Sequence, residues 1–170
     1  MSDPVIDSRH FRNVLGHFPT GVTVVTGLDR SGKPHGITIG SFVSVSLDPP
    51  LVGFLPGKSS RSWPSIAESG NFCVNILGAG QDDLCWRFAK EPVEGDEGKF
   101  AGIDWKSSGT GSPILPGVVG WIDCRVEAVL EGGDHWFVEG RVLDMAHAER
   151  ADSAMVFFRG KVASVELPPS

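Results

Sequence analysis

The sequence predicts a mainly β protein, an antiparallel barrel or sandwich with a few short helices, on three observations. Its 170 residues include 22 Gly and 12 Pro, which suits short strands joined by turns better than a helical bundle. Apolar runs with a period of two recur along the chain and give about seven to nine expected strands. The C-terminal third carries a hairpin whose two arms keep one apolar parity.

Taken in order, Ser8 is the expected cap of a short helix that sets Phe11, Val14, Leu15 and Phe18 in one stripe before Pro19 ends it. Thr20 to Thr26 is rich in β-branched residues and reads as a strand, with a turn at Asp29, Arg30, Ser31 and Gly32. The next strand runs from Gly36 to Leu47, with Ile37, Ile39, Val43, Val45 and Leu47 on the core face. Its other face, Thr38, Gly40, Ser44 and Ser46, has no charge and little bulk, so a flat partner could approach the backbone. An ordinary strand in a small-residue sheet accounts for the same letters. Asp48, Pro49 and Pro50 stop this strand, and Leu51 to Leu55 forms another.

Ser62 is the expected cap of a second helix with Pro64 in its first turn. Lys58, Ser59, Ser60, Arg61 and Ser62 then put two cations and three hydroxyls at a helix start, a composition suited to phosphate. A well-capped helix with a solvated charge pair fits these residues as well. Asn71 to Leu77 reads as a strand, and Asp82 to Lys90 as a helix with Leu84, Cys85 and Phe88 inward. Glu91 to Gly98 is the expected mobile loop, after which Phe100, Ile103 and Trp105 return to the core. In the hairpin, a loop at Glu131, Gly132 and Gly133 pairs Arg125 with Glu139, Asp123 with Arg141, and Val126 with Val138. Ala154 to Phe158 and Lys161 to Val165 close the fold, and the tail from Pro168 frays. A single domain over residues 1–170, with its core at about 11–166, holds all of these elements.

Several function classes are unsupported. A net charge of −6 argues against nucleic acid or an anionic membrane as partner, though not against a small anionic cofactor in a local basic pocket. Cys73, Cys85 and Cys124 are odd in number and lack CxxC spacing, so they predict neither disulfides nor zinc, and they suit a reducing cytoplasm. No run approaches the roughly twenty apolar residues of a membrane span, and the N-terminus lacks a signal pattern. Rossmann, P-loop, GxSxG and HExxH motifs do not occur. His10, His17, His35, His135 and His147 show no metal-ligand spacing, so no metal is expected. His135 follows Gly133 and Asp134, where its ring is placed to project over a sheet edge.

Eight stretches in one order carry a resemblance: PTGVTVVT (19–26), SFVSVSLDPPLV (41–52), KSSRSW (58–63), FCVNIL (72–77), RFA (87–89), KFAGIDW (99–105), GDH with GRV (133–135, 140–142) and FFRG (157–160). Together they resemble the flavin reductase-like family, small NAD(P)H:flavin oxidoreductases that serve two-component flavin-dependent monooxygenases. The resemblance implies an FMN-binding split β-barrel of Greek-key type and a homodimer. It also implies FMN or FAD as flavin, NADH or NADPH as hydride donor, and a separate oxygenase as partner. Carried over by position, Thr38, Ile39, Gly40 and Ser41 would line the flavin ring, while Lys58, Ser59, Ser60, Arg61 and Ser62 would hold its phosphate. Phe88 would lie against the flavin, and His135 would approach the nicotinamide as the catalytic residue. Gly40 departs from the family pattern, in which a hydroxyl or amide side chain is usual, so a side-chain contact is missing there. Two alternatives differ in chemistry: a flavin-binding or electron-carrier protein without turnover, and a β-barrel interaction module that takes up no flavin.

Overall fold

A computed structural model describes residues 5–90, 98–149 and 151–168. Helix α1 covers Ser8–Leu15, and its cap is Asp7 rather than Ser8: the Asp7 carboxylate accepts the His10 N–H at 3.1 Å. Strands β1 (Thr20–Gly21), β2 (Thr23–Leu28), β3 (Pro34–Ile39), β4 (Val43–Leu47) and β5 (Pro50–Phe54) precede α2 (Ser62–Ala67). Next come β6 (Asn71–Ile76), α3 (Asp82–Ala89), β7 (Lys106–Ser107), β8 (Pro113–Ile114), β9 (Gly120–Gly132), β10 (His135–His147), β11 (Ser153–Phe158) and β12 (Lys161–Glu166). The strands exceed the expected number because two expected strands break in the middle and the stretch between Trp105 and β9 adds the two-residue β7 and β8.

Seven strands pair in the order β3-β2-β6-β9-β10-β5-β4, every pair antiparallel, and β1, β11 and β12 form a smaller sheet. The chain passes between the sheets at Val22, whose carbonyl accepts the Leu77 N–H at 3.0 Å, while the Leu77 carbonyl accepts the Met155 N–H at 3.1 Å. This is the expected split barrel. The expected single strand from Gly36 to Leu47 is interrupted at residues 40–42, so β3 and β4, neighbours in sequence, end on opposite edges of the large sheet.

Alternation along β2 explains how two cores are filled. Val25 packs with Phe54, Trp63, Ile66, Phe72 and Val74, whereas Val24, one residue away and on the opposite face, packs with Leu77, Cys85, Phe88 and Leu115. Helix α2 supplies Trp63 and Ile66 to the first cluster, and α3 supplies Cys85 and Phe88 to the second. Each such large side chain contributes about 1.5–3 kcal/mol when fully buried. Phe100, Ile103 and Trp105 pack against the second cluster as expected. Residues 91–97 of the expected loop lie outside the described residues, as do 169–170 of the tail.

Among the described residues, buried polar side chains are matched. The Asn75 amide donates to the carbonyls of Val24 and Pro113, both at 3.2 Å, and its oxygen accepts the Leu115 N–H at 2.8 Å. Asp123, also buried, accepts from Ser108 Oγ at 2.8 Å and from Thr110 Oγ1 and N at 2.6 and 2.9 Å. It therefore anchors a turn and is not available to Arg141.

The hairpin register differs from expectation. The connecting turn is Gly133 and Asp134, with Gly133 at φ 68°, a conformation that favours glycine. Register shifts fall between Glu139 and Gly140 and between Val142 and Asp144, so Arg141 stands opposite Arg125 and its guanidinium meets Glu127 at 2.8 Å. A loop placed at 131–133 instead of the observed turn at 133–134, together with bulges that no sequence period reveals, misplaced the charge pairs.

Two expected core faces are open in the single chain. Phe11, Val14, Leu15 and Phe18 are all at least half exposed, and on β4 Val43, Val45 and Leu47 point outward, Leu47 at 92%. Their alternation and helical spacing are intact, but they face away from the described cores.

Candidate functional site

Three stretches singled out in the sequence meet at one end of the β5–β10 ladder. The pairing of Phe54 with Val138 continues past β5: the Trp136 N–H donates to the Pro56 carbonyl at 2.9 Å and Gly57 bridges His135. The Lys58 N–H then donates to the Asp134 carbonyl at 2.9 Å. This ladder sets the 58–62 segment beside the turn that carries His135. The 40–42 crossover is tied to the same place, because Ser41 Oγ accepts the Leu55 N–H at 2.9 Å and donates to the Leu55 carbonyl at 3.3 Å.

His135 is half exposed. Its Nδ1 lies 2.8 Å from Asp134 Oδ1, and a Cβ built on Gly57 would meet its Nε2 at 3.8 Å. The hydrogen bond from His135, reinforced by its charge, holds the Asp134 carboxyl below its usual range. In the neutral tautomer that donates from Nδ1 to the Asp134 carboxylate, Nε2 is an acceptor on the Gly57 side.

The basic segment divides its roles. Lys58 Nζ sits 4.6 Å from the centre of the Trp136 ring and 3.3 Å from Glu131 Oε1, so its ammonium is aimed along the turn. Arg61 is exposed at the start of α2, and Ser59 is exposed beside Lys58. Ser60, not Ser62, serves the helix start: its Oγ accepts from the N–H groups of Ser62 and Trp63 at 3.3 and 3.4 Å. Ser62 is turned inward at 2% exposure, with its hydroxyl 3.3 Å from Lys99 Nζ.

The flat face expected on residues 36–47 is narrower than its composition implied. Thr38 donates its hydroxyl to the Cys85 carbonyl of α3 at 2.7 Å, and Ile39 is buried in the core. Phe88 is wholly buried and stacks edge-on against Phe100 at 5.0 Å; it does not reach the outer surface. A Cβ on Gly36 would lie 2.6 Å from the Phe88 ring, so Gly36 is small to admit Phe88, not a ligand. What stays open is the crossover itself: Gly40 is exposed and Ser41 half-buried.

Lys99 is a site element that sequence reasoning missed. Its ammonium donates to the carbonyls of Gly36 and Phe88 at 3.1 and 3.0 Å and to Ser62 Oγ at 3.3 Å. A single Lys between a polar loop and an aromatic run has no periodicity to mark it. Trp136 as a platform for Lys58 was also missed, since in the sequence it reads only as a strand aromatic.

The donor set fits a flat, polar heterocycle with an anionic tail. Gly40 is exposed and carries no side chain of its own, with the Thr20 hydroxyl 3.0 Å from where a Cβ would stand, and Lys58 and Arg61 supply positive charge at the other end. Among the described residues, no cluster of three or more His, Cys, Asp or Glu could hold a metal ion, and no helix is long and apolar enough to cross a membrane.

Residues 15–166 match the model of the flavin reductase like domain. A flavin reductase from Pseudomonas putida is 52% identical over 91% of this chain and 88% of its own. The reductase subunit HsaB of a flavin-dependent monooxygenase from Rhodococcus jostii is 48% identical over 95% of this chain and 80% of its own. Among solved structures, nitrilotriacetate monooxygenase component B from Mycobacterium thermoresistibile superposes with a TM-score of 0.87 at 45% identity, covering 96% of this chain and 91% of that one.

Proposed function

The chain belongs to the flavin reductase-like family, and from that membership we propose that it is an NAD(P)H:flavin oxidoreductase that delivers reduced FMN or FAD to a separate oxygenase. The observation that supports this most is the continued β5–β10 ladder, which brings Ser41, the 58–62 segment and His135 to one edge. The flavin, when bound, supplies the hydride acceptor and the nicotinamide supplies the hydride, so the protein needs no acid–base pair of its own. Its residues contribute binding and orientation.

Gly40 and Ser41 would offer main-chain groups to the flavin ring, with Thr38 and Ile39 fixing that segment from behind. Lys58, Ser59 and Arg61 would take the phosphate, with Ser60 and Ser62 acting as supports for the helix start. His135, its Nδ1 proton held by Asp134, would orient the nicotinamide through Nε2. The exposed apolar residues of α1 and β4 are surface that a second copy would cover, supporting a homodimer. Three unbridged, buried cysteines suit a cytoplasmic location.

The test is steady-state oxidation of NADH and NADPH with riboflavin, FMN and FAD, beside flavin titration of the apoprotein. Flavin-dependent nicotinamide oxidation is expected. Flavin binding without turnover would make the protein a carrier, and failure to bind any flavin would remove the proposal altogether.

A further inference from the structure

Lys99 occupies a position that the assigned roles leave unexplained. Its ammonium joins three elements: β3 through the Gly36 carbonyl, the start of α2 through Ser62 Oγ, and the last turn of α3 through the Phe88 carbonyl. A cation at a helix C-terminus is favoured by the helix dipole and by carbonyls that the helix leaves unpaired. Lys99 is only partly exposed, so its charge is less screened than that of a surface lysine.

What Lys99 connects matters more than its own stability. β3 leads directly into Thr38 to Ser41, the segment assigned to the flavin ring, and α2 begins where Lys58 to Arg61 are assigned to the phosphate. The two segments are also linked through Ser41 and Leu55. Lys99 supplies a second, separate link. The separation between a ring-binding and a phosphate-binding segment determines whether one ligand can engage both at once. Misplacement by about 1 Å is enough to lose on the order of a hundredfold in a well-oriented site.

We propose that Lys99 is a positioning residue that sets the distance between the ring-binding and phosphate-binding segments, and so determines how strongly the site favours a phosphorylated flavin over one without phosphate. It does this through Ser62, whose buried hydroxyl belongs to the Lys99 contact and not to the flavin surface. The inference rests on the flavin reading given above.

Riboflavin and FMN differ only by the phosphate, so the ratio of their dissociation constants isolates the role of Lys99. The apoproteins of the wild type, Lys99→Met, Lys99→Arg and Ser62→Ala are titrated with each flavin by fluorescence quenching, and their thermal midpoints are measured. The wild type is expected to bind FMN more tightly than riboflavin. Lys99→Met lowers that preference about tenfold while riboflavin affinity changes less than about threefold. Lys99→Arg, which keeps the charge, retains more of the preference than Lys99→Met. An unchanged preference with only a lowered midpoint would make Lys99 a structural strut and overturn the inference. If Lys99→Met does not fold, Ser62→Ala decides: a weakened preference supports the inference and an unchanged one overturns it. A wild type that binds neither flavin removes the underlying function together with the inference, whereas an unchanged ratio removes the inference alone.

Discussion

The hydroxyl of Ser41 is bonded twice to the main chain of Leu55, accepting its N–H at 2.9 Å and donating to its carbonyl at 3.3 Å. This one side chain ties the crossover between β3 and β4 to the end of β5, two residues beyond the Val43–Gly53 pair of the β4–β5 hairpin. Ser41→Ala leaves the Leu55 N–H without that partner in a half-buried place, and a loss of about 1–3 kcal/mol is expected. Urea unfolding measures it, and flavin affinity should fall in the same variant.

His135→Ala is expected to slow hydride transfer about tenfold or more while the flavin dissociation constant stays within about twofold, because the ring is placed to orient a second ligand and not the first. Stopped-flow reduction at saturating NADH separates the two. Unchanged turnover together with an unchanged Michaelis constant for NADH would rule out the assigned role.

Acid stability should depend on Asp29. Its carboxylate accepts from the Ser31 hydroxyl and N–H and the Lys33 N–H, and lies 2.9 Å from His35 Nε2; the Ser31 hydroxyl and His35 contribute most to holding it well below its ordinary value of 3.8. A depressed folded value means that this contribution is complete above the unfolded value and disappears as pH falls from there through the folded value. The gap in thermal midpoint between wild type and Asp29→Asn should therefore close progressively as pH falls below about 4. A gap that persists unchanged to pH 2 would contradict this.

Gly140→Ala tests the bulged register of the long hairpin. A Cβ there would overlap the Phe72 ring, which is fully buried, and lie 3.2 Å from Cys124 Cβ. Overpacking of this kind should destabilise the fold by about 1–3 kcal/mol. Chemical denaturation would report it, and a neutral result would place the bulge elsewhere.

If two copies pair through β4 as proposed, Leu47→Asp is expected to shift the balance toward monomer with little change in the stability of the chain itself, since Leu47 is 92% exposed. Sedimentation velocity distinguishes the states. A variant that sediments like the wild type would exclude β4 from the contact between copies.

The β elements were legible because alternation and turn residues mark them locally: TGVTVVT became β1 and β2, NFCVNIL became β6, and the closing pair became β11 and β12. Direction was less legible. The spacing of Phe11, Val14, Leu15 and Phe18 specifies one apolar face of a helix but not whether that face meets the chain's own core. The small residues around Gly36 correctly marked a close approach, yet the approaching group is Phe88, and nothing in either stretch names its partner. Hydrogen bonds between distant segments, such as Lys99 to Ser62 or Ser41 to Leu55, have no sequence period and appear only once the topology is known.

The ladder that carries His135 to the basic segment uses main-chain atoms at Pro56, Gly57, Lys58, Asp134 and Trp136. Its alignment therefore tolerates many changes of letter but no change of count. One residue inserted between Phe54 and Lys58 would slide the basic segment by roughly 3.3 Å along the ladder and turn its side chains to the opposite face, away from His135. Spacing between Phe54 and Lys58, more than residue identity there, keeps the site assembled.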